Sequence, residues 1–404
     1  MKMLSSRLDP VKPSASAWVS QAAKDAIARG EDVIDLGLGE PDFDTPDHIK
    51  HAAHAAAMAG KTKYPPTNGT LKMRKAVVGK LQRENDLEYG VDEIIVSNGA
   101  KQVLFNAMMA TLEEGDEVLL CAPYFGQYKD IVLILGGTPV TIECPAKDGF
   151  RLLPENLSKA ITPRTKWIML NLPSNPAGAV YSNEDLRALG AVLRDHPDIL
   201  ILSDEIYEHI LFDGRTFRSF AAINPELKDR TLTVNGVSKA YAMTGWRIGY
   251  GAGPKVLIAG MTKVQSQICS GACSIAQAAA AAALNGPQDD VRRFCAAFEA
   301  RRDLVVQRIA RIEGLTLDPP GGAFYGLIDC SGLIGAKTPD GQTIETDADV
   351  TAYLLRTAGI AAVPGSAYDL SPFFRISTAA SEAVLDDAMN RIAAAVSQLE
   401  RGTD

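Results

Sequence analysis

The sequence lacks the marks of a disulfide scaffold, a membrane protein and a nucleic-acid-binding surface. Its six cysteines, Cys121, Cys144, Cys269, Cys273, Cys295 and Cys330, include no C-x-x-C pair. A chain of 404 residues does not need disulfides for stability, so they read as buried small apolar residues, and no metal site is expected. The stretch from Met1 to Ala17 mixes Lys2, Arg7, Asp9 and Lys12 with Pro10 and Pro13 and contains no apolar segment. Neither a signal peptide nor a membrane span is therefore predicted, and cytoplasmic residence is the default. Lysines and arginines form no cluster, and the formal charge of −8 with a pI near 5.3 argues against a nucleic-acid partner. No internal repeat is evident.

What is present is the composition of an ordinary globular protein, 46% apolar and 22% charged, long enough for two or three domains. Short apolar runs recur at Ile94-Val96, Val118-Leu120, Pro139-Ile142, Ile168-Leu170, Leu200-Leu202, Leu232-Val234 and Ile248-Tyr250. Helical patterns such as Gln102 to Leu112 and Asn183 to Arg194 lie between several of them. Such alternation predicts an α/β fold with a mostly parallel sheet covered on both faces, which binds ligands beyond the carboxyl ends of its strands. After about residue 287 the pattern changes to a long helix, Asp290 to Glu313, followed by strand and helix signals that suggest a second, smaller domain. The Ala-rich run Ala276 to Leu284 reads as a tightly packed helix, and Gly332 to Thr346 as an exposed loop.

The chemistry concentrates between Ser238 and Gly249. Lys239 and Arg247 stand eight positions apart in a glycine-punctuated loop just after the run Thr231-Val234. A lysine amine can condense with the aldehyde of pyridoxal phosphate, and the planar fork of an arginine can hold that cofactor's phosphate. Upstream, Asn175 and Asp204 each follow an apolar run, Trp167 to Leu172 and Ile199 to Leu202, so three strand ends deliver polar groups in order. Asn98-Gly99-Ala100-Lys101 opens the helical pattern that begins at Gln102. A helix entry offers free amides to an anion, and a glycine allows close backbone approach.

With these segments in place, the chain resembles the fold-type I, class I aminotransferases dependent on pyridoxal phosphate, from Leu36 to Ala379. Nearest in wording is the gamma subgroup of bacterial aspartate aminotransferases, some of which also accept aromatic acids or prephenate. The matching phrases are Lys12-Pro13-Ser14-Ala15, Gly39-Glu40-Pro41-Asp42-Phe43-Asp44-Thr45-Pro46 and the Lys239 segment. The resemblance implies a large cofactor domain over 49–286, and a smaller α+β domain made of the N-terminal segment 1–48 with the linking helix and C-terminal part 287–404. It also implies that Lys239 holds the cofactor covalently and then moves a proton, that Asp204 faces the pyridine nitrogen, and that Tyr207 and Asn175 bond the ring oxygen.

In the same way Gly99, Ala100, Lys101, Ser238 and Arg247 would surround the phosphate, joined by Tyr64 from the neighbouring subunit of a homodimer. Phe125 would stack on the pyridine face. Arg375 and Gly39 would hold the substrate α-carboxylate, Lys101 would reach a distal carboxylate, and Asn175, and Lys12 with Ser16, would also face the substrate. The chain departs from the usual pattern at Ala177, where Thr is common, at Phe125, where Trp is frequent, and at Ser16, where Thr is commoner. Gln265 to Ser274 lacks the arginine that another subgroup uses for a distal carboxylate.

The expected activity is ping-pong transfer of an amino group from aspartate to 2-oxoglutarate, two small molecules. An aromatic, prephenate or broad-specificity aminotransferase is the alternative, and a carbon-sulfur lyase shares the fold. A cofactor-sensing transcription regulator needs a DNA-binding module, and fewer than forty residues precede Gly39.

Overall fold

The computed structural model describes residues 3–401. Its strands are β1 (Ile34–Asp35), β2 (Ile94–Ser97), β3 (Glu117–Ala122), β4 (Thr138–Glu143), β5 (Thr165–Asn171), β6 (Leu200–Asp204), β7 (Thr231–Gly236), β8 (Gly249–Ala252), β9 (Tyr325–Asp329), β10 (Ile360–Ala361), β11 (Val363–Pro364) and β12 (Phe373–Ser377). The seven apolar runs become β2 to β8, one sheet in the order β2-β8-β7-β6-β5-β3-β4. Every residue of β2, β7 and β8 is buried, as a sheet covered on both faces requires. Only β8 runs antiparallel to its neighbours, β2 and β7. The register sets Asn171 beside Asp204, and Asp204 beside Val234. Asp204 at the end of β6 and the loops carrying Asn175 and Lys239 therefore stand side by side at the carboxyl ends of these strands.

The helix after β2 spans Ala100–Thr111 and starts two residues before the pattern suggested, because Gly99 takes the N-cap position at φ +84. The Ala-rich segment forms the helix Ser274–Asn285, whose small buried side chains let it lie closely against the helices Asp47–Met58 and Leu71–Asn85. The long helix spans Asp289–Ile309 and ends four residues before the expected Glu313. Beyond it Ile312 and Leu315 turn into the C-terminal core through Gly314, at φ +89.

A second sheet, β11-β12-β9, is antiparallel, and β1 pairs in parallel with β10. Leu36 lies in one apolar cluster with Ile328, Leu354, Phe374 and Ile376, so the N-terminal segment shares the core of the C-terminal part. Two expectations are corrected here. The stretch Gly332–Thr346 is not simply an exposed loop: Leu333, Ala336 and Ile344 are buried, and Lys337 bridges both Thr343 and Glu400. Its spaced apolar residues pin it to the core. Cys269 and Cys273 are exposed in the turn between two helices, whereas Cys144 and Cys330 are buried. Among the described residues no helix is long and apolar enough to cross a membrane.

Candidate active site

Beyond the carboxyl ends of β5, β6 and β7 lies a cavity of about 360 Å³ lined by Gly39, Ala100, Lys101, Phe125, Asn175, Asp204, Tyr207, Ser238, Lys239, Arg247 and Arg375. The opening position of the Ala100–Thr111 helix is held tightly against β8, since a side chain at Gly249 would strike the Ala100 amide. Gly99 likewise lies under the Arg247 guanidinium, which would have to shift to admit a Cβ. Arg247 itself adopts φ +54, an uncommon conformation for a non-glycine residue and one that clusters at functional sites. Helix amides, the Ser238 hydroxyl and a guanidinium thus meet at one end of the cavity, where an anion is stabilised.

Asp204 is 5% exposed. Its Oδ2 accepts a hydrogen bond from the Tyr128 hydroxyl at 2.7 Å, and its Oδ1 one from the Ile206 amide at 3.3 Å. Burial, outweighing those bonds and the charge of Lys239, pushes its carboxyl up to about 6. Asn171 donates to the Asp204 carbonyl at 3.0 Å and accepts from the Asn175 amide at 2.7 Å, which orients the loop after β5.

Lys239 Nζ donates to the Gly39 carbonyl at 2.6 Å and stands 5.5 Å from the Phe324 ring and 5.8 Å from that of Tyr207. Burial, and then the nearby Arg375, lower its amine to about 8, so that a useful fraction is neutral near neutral pH.

Arg375 is 2% exposed. Its guanidinium donates to Asn175 Oδ1 at 3.1 Å and to the Gly37 carbonyl, and lies 4.6 Å from the Tyr325 ring and 5.2 Å from that of Tyr368. Its Nε has no partner, and among the described residues no carboxylate pairs with it. A buried, unpaired guanidinium is costly unless an anion completes it.

A half-buried lysine amine of lowered basicity and a buried, unpaired arginine thus line one cavity. The family described as aminotransferase class I and II matches residues 31–392. This chain belongs to that family. The aspartate aminotransferase of Rhizobium meliloti strain 1021 is 54% identical over 98% of this chain and 96% of its own. The aspartate/prephenate aminotransferase of Cereibacter sphaeroides is 50% identical, covering 98% of each. Among solved structures, the Rhizobium meliloti aspartate aminotransferase superposes with a TM-score of 0.96 at 53% identity, covering 99% of this chain and all of that one. The Thermus thermophilus aspartate aminotransferase with maleate superposes at 0.90 and 41% identity, covering 98% and 100%. This is the fold-type I α/β architecture of the class I aminotransferases, and the chain is an aminotransferase.

In this aminotransferase three expected site residues, Gly99, Lys12 and Tyr64, are not among those lining the cavity, Gly99 because the Arg247 guanidinium lies over it. Lys12 is exposed and lines a neighbouring groove with Tyr124, Lys129 and Asp369, because Ser14 is held by Gln127 at 2.5 Å and the chain turns inward only from there. Tyr64 is 94% exposed and is not among the cavity's lining residues. Ser16 does reach it, 3.5 Å from Arg375. Sequence reasoning missed Tyr128, Asn171, Tyr325 and Tyr368. Tyr325 is the most consequential: its hydroxyl lies 2.8 Å from that of Tyr207, and it occupies the space that any Cβ at Gly39 would need. Its place directly after Gly321-Gly322-Ala323-Phe324 was the available signal.

Proposed function

We propose that this chain transfers the amino group of L-aspartate to 2-oxoglutarate, with pyridoxal phosphate held on Lys239. The cavity fits that group. Gly99, Ala100, Ser238 and Arg247 would take its phosphate, Asp204 its ring nitrogen, Tyr207 and Asn175 its ring oxygen, and Phe125 one face of its ring. When bound, pyridoxal phosphate supplies an aldehyde for the amine and a ring that accepts the electrons freed when the substrate Cα–H bond breaks. The negative charge of Asp204, kept dry by Tyr128, favours a protonated ring nitrogen. Lys239 Nζ, neutral in part because burial lowers its affinity for a proton, would take the proton from the substrate Cα and hold it for return.

The single observation that carries the substrate reading is Arg375, buried, among the described residues without a carboxylate of its own, and lining the same cavity as Lys239. Its fork matches an α-carboxylate in a bidentate pair. Lys101, exposed and 5.4 Å from the Phe125 ring, offers a second positive charge for a distal carboxylate. The names of the aspartate aminotransferase relatives support the same donor. Relatives named aspartate/prephenate aminotransferases support prephenate as a second acceptor, since prephenate also carries two carboxylates.

Tyr64, almost wholly exposed here, is offered to a second copy of the chain, so the working unit is read as a homodimer. Residues 1–48 and 287–404 are read as the smaller domain and 49–286 as the larger one. In support, the helix Ala15–Ala28 packs through Val19 and Ala23 on Ala361, Val363 and Tyr368. Single-turnover reactions with a panel of amino acids, followed by the absorbance of the bound cofactor, test the donor. Aspartate should react fastest; an equal rate with phenylalanine would move the assignment to the aromatic class.

A further inference from the structure

Outside the cavity, one carboxylate gathers more partners than its exposure would suggest. Asp369 follows the turn Gly365–Tyr368 at φ +55. It accepts hydrogen bonds from the Tyr124 hydroxyl, from Lys129 Nζ at 2.9 Å and from Thr141 Oγ1 at 3.2 Å. Thr141 lies on β4, Lys129 on the helix Gln127–Ile134 and Tyr124 on the loop between β3 and that helix, whereas Asp369 belongs to the C-terminal part. A Cβ at Gly126 would stand 2.9 Å from the Ala367 carbonyl, so the two backbones also meet directly.

Each side of this junction continues into the site. Tyr124 precedes Phe125, which packs edge-on against Tyr128 at 5.5 Å, and Tyr128 in turn bonds Asp204. Tyr368 precedes Asp369, lies 5.2 Å from the Arg375 guanidinium, and pairs with Ser16 at 3.3 Å. The junction therefore connects the expected ring-stacking residue with the arginine expected to take the substrate carboxylate.

We propose that Asp369 is a positioning residue, which by holding Tyr124, Thr141 and Lys129 sets the placement of Arg375 relative to Phe125 and so the affinity for the substrate carboxylate. It touches neither substrate nor cofactor. The inference rests on the transaminase reading of the cavity. The Lys129 and Asp369 side chains remain 40% and 30% exposed, and ion pairs of that exposure contribute little to folding. Their energetic effect is thus directed at geometry, where a small displacement of a clamp is expensive.

The test uses the cofactor-loaded enzyme with maleate as a non-reacting dicarboxylate. Asp369→Ala should raise the maleate Kd and the aspartate KM about ten-fold, as loss of a charge-assisted hydrogen bond implies, with kcat within about three-fold. Borohydride should still trap one cofactor per chain at Lys239. Tyr124→Phe should act in the same direction, the double variant should be no worse than Asp369→Ala, and Asp369→Asn, which keeps an acceptor, should recover part of the affinity. Unchanged Kd and KM in Asp369→Ala, or additive effects in the double variant, would overturn the proposal. If Asp369→Ala does not fold, Lys129→Ala carries the test: a rise of about three-fold in KM supports the inference and no change overturns it. Failure of the underlying reading shows separately, as wild-type protein that traps no cofactor at Lys239, and the inference falls with it.

Discussion

The Lys239 amine donates to the carbonyl oxygen of Gly39 at 2.6 Å, across 200 residues of sequence. This bond brings the cavity's lysine to the N-terminal segment that, through Gly37, also receives the Arg375 guanidinium. The amine, partly desolvated and close to Arg375 and Arg247, is less basic than a solvated lysine.

Replacing Lys239 with alanine should lower turnover at least about a thousand-fold, because nucleophile and proton carrier disappear together. Mass spectrometry after borohydride treatment should find the adduct in wild type and none in Lys239→Ala. In cofactor-free protein the rate at which Lys239 captures pyridoxal phosphate should rise with pH and level off above about 8, since only the neutral amine attacks. A midpoint near the ordinary value of 10.5 would contradict the burial argument.

Arg375→Lys should not behave as a conservative change. Lysine keeps the charge but loses the planar fork and its stacking on Tyr325 and Tyr368. KM for aspartate should rise by about a hundred-fold, as loss of a paired, charged hydrogen bond implies, with a smaller effect on kcat. Steady-state kinetics at saturating 2-oxoglutarate reads this directly.

Gly99→Ala combines a strained backbone at φ +84 with a methyl group aimed at the Arg247 guanidinium. Displacing that guanidinium should weaken cofactor retention without abolishing the reaction once cofactor is in excess. Equilibrium dialysis of pyridoxal phosphate should show a Kd increase of about ten-fold or more.

Glu205 offers a test of stability against pH. It is fully buried, accepts from Ser203, Ser219 and the Phe220 amide, and among the described residues forms no ion pair. Burial, and then the nearby Glu208, raise its carboxyl to about 7 from 4.5. The folded state therefore binds a proton more tightly than the unfolded one. Its contribution is fully present below about pH 4.5 and is lost as pH rises through about 7. Glu205→Gln should flatten that decline, a difference on the order of 2–3 kcal/mol between pH 5 and pH 8. Parallel urea titrations of wild type and variant at the two pH values measure it; an unchanged slope would show that Glu205 does not titrate there.

The parallel sheet was legible because β2, β3 and β5 to β7 are short, apolar and separated by helical patterns, and because a polar residue at a strand's carboxyl end has few roles other than ligand binding. The helix entry at Gly99 was legible for the same reason, although its start was misjudged by two residues. Tyr325 escaped notice because its one local signal, the preceding Gly321-Gly322-Ala323-Phe324, does not by itself distinguish a site tyrosine from a core one. Only its approach to Tyr207, 118 residues away, does so. Lys12 lines a neighbouring groove, a place its N-terminal segment does not reveal because it has no periodic pattern from which its path can be read.

Local order of residues, then, determined which side chains could do chemistry here: the lysine, the carboxylate and the arginines, each marked by glycine, strand end or apolar flank. Only the tertiary structure decided what those groups have become. Basicity, ion pairing and reach depend on burial and on neighbours drawn from distant segments, so the lowered Lys239, the raised Asp204 and the unpaired Arg375 exist only once the chain has closed around them.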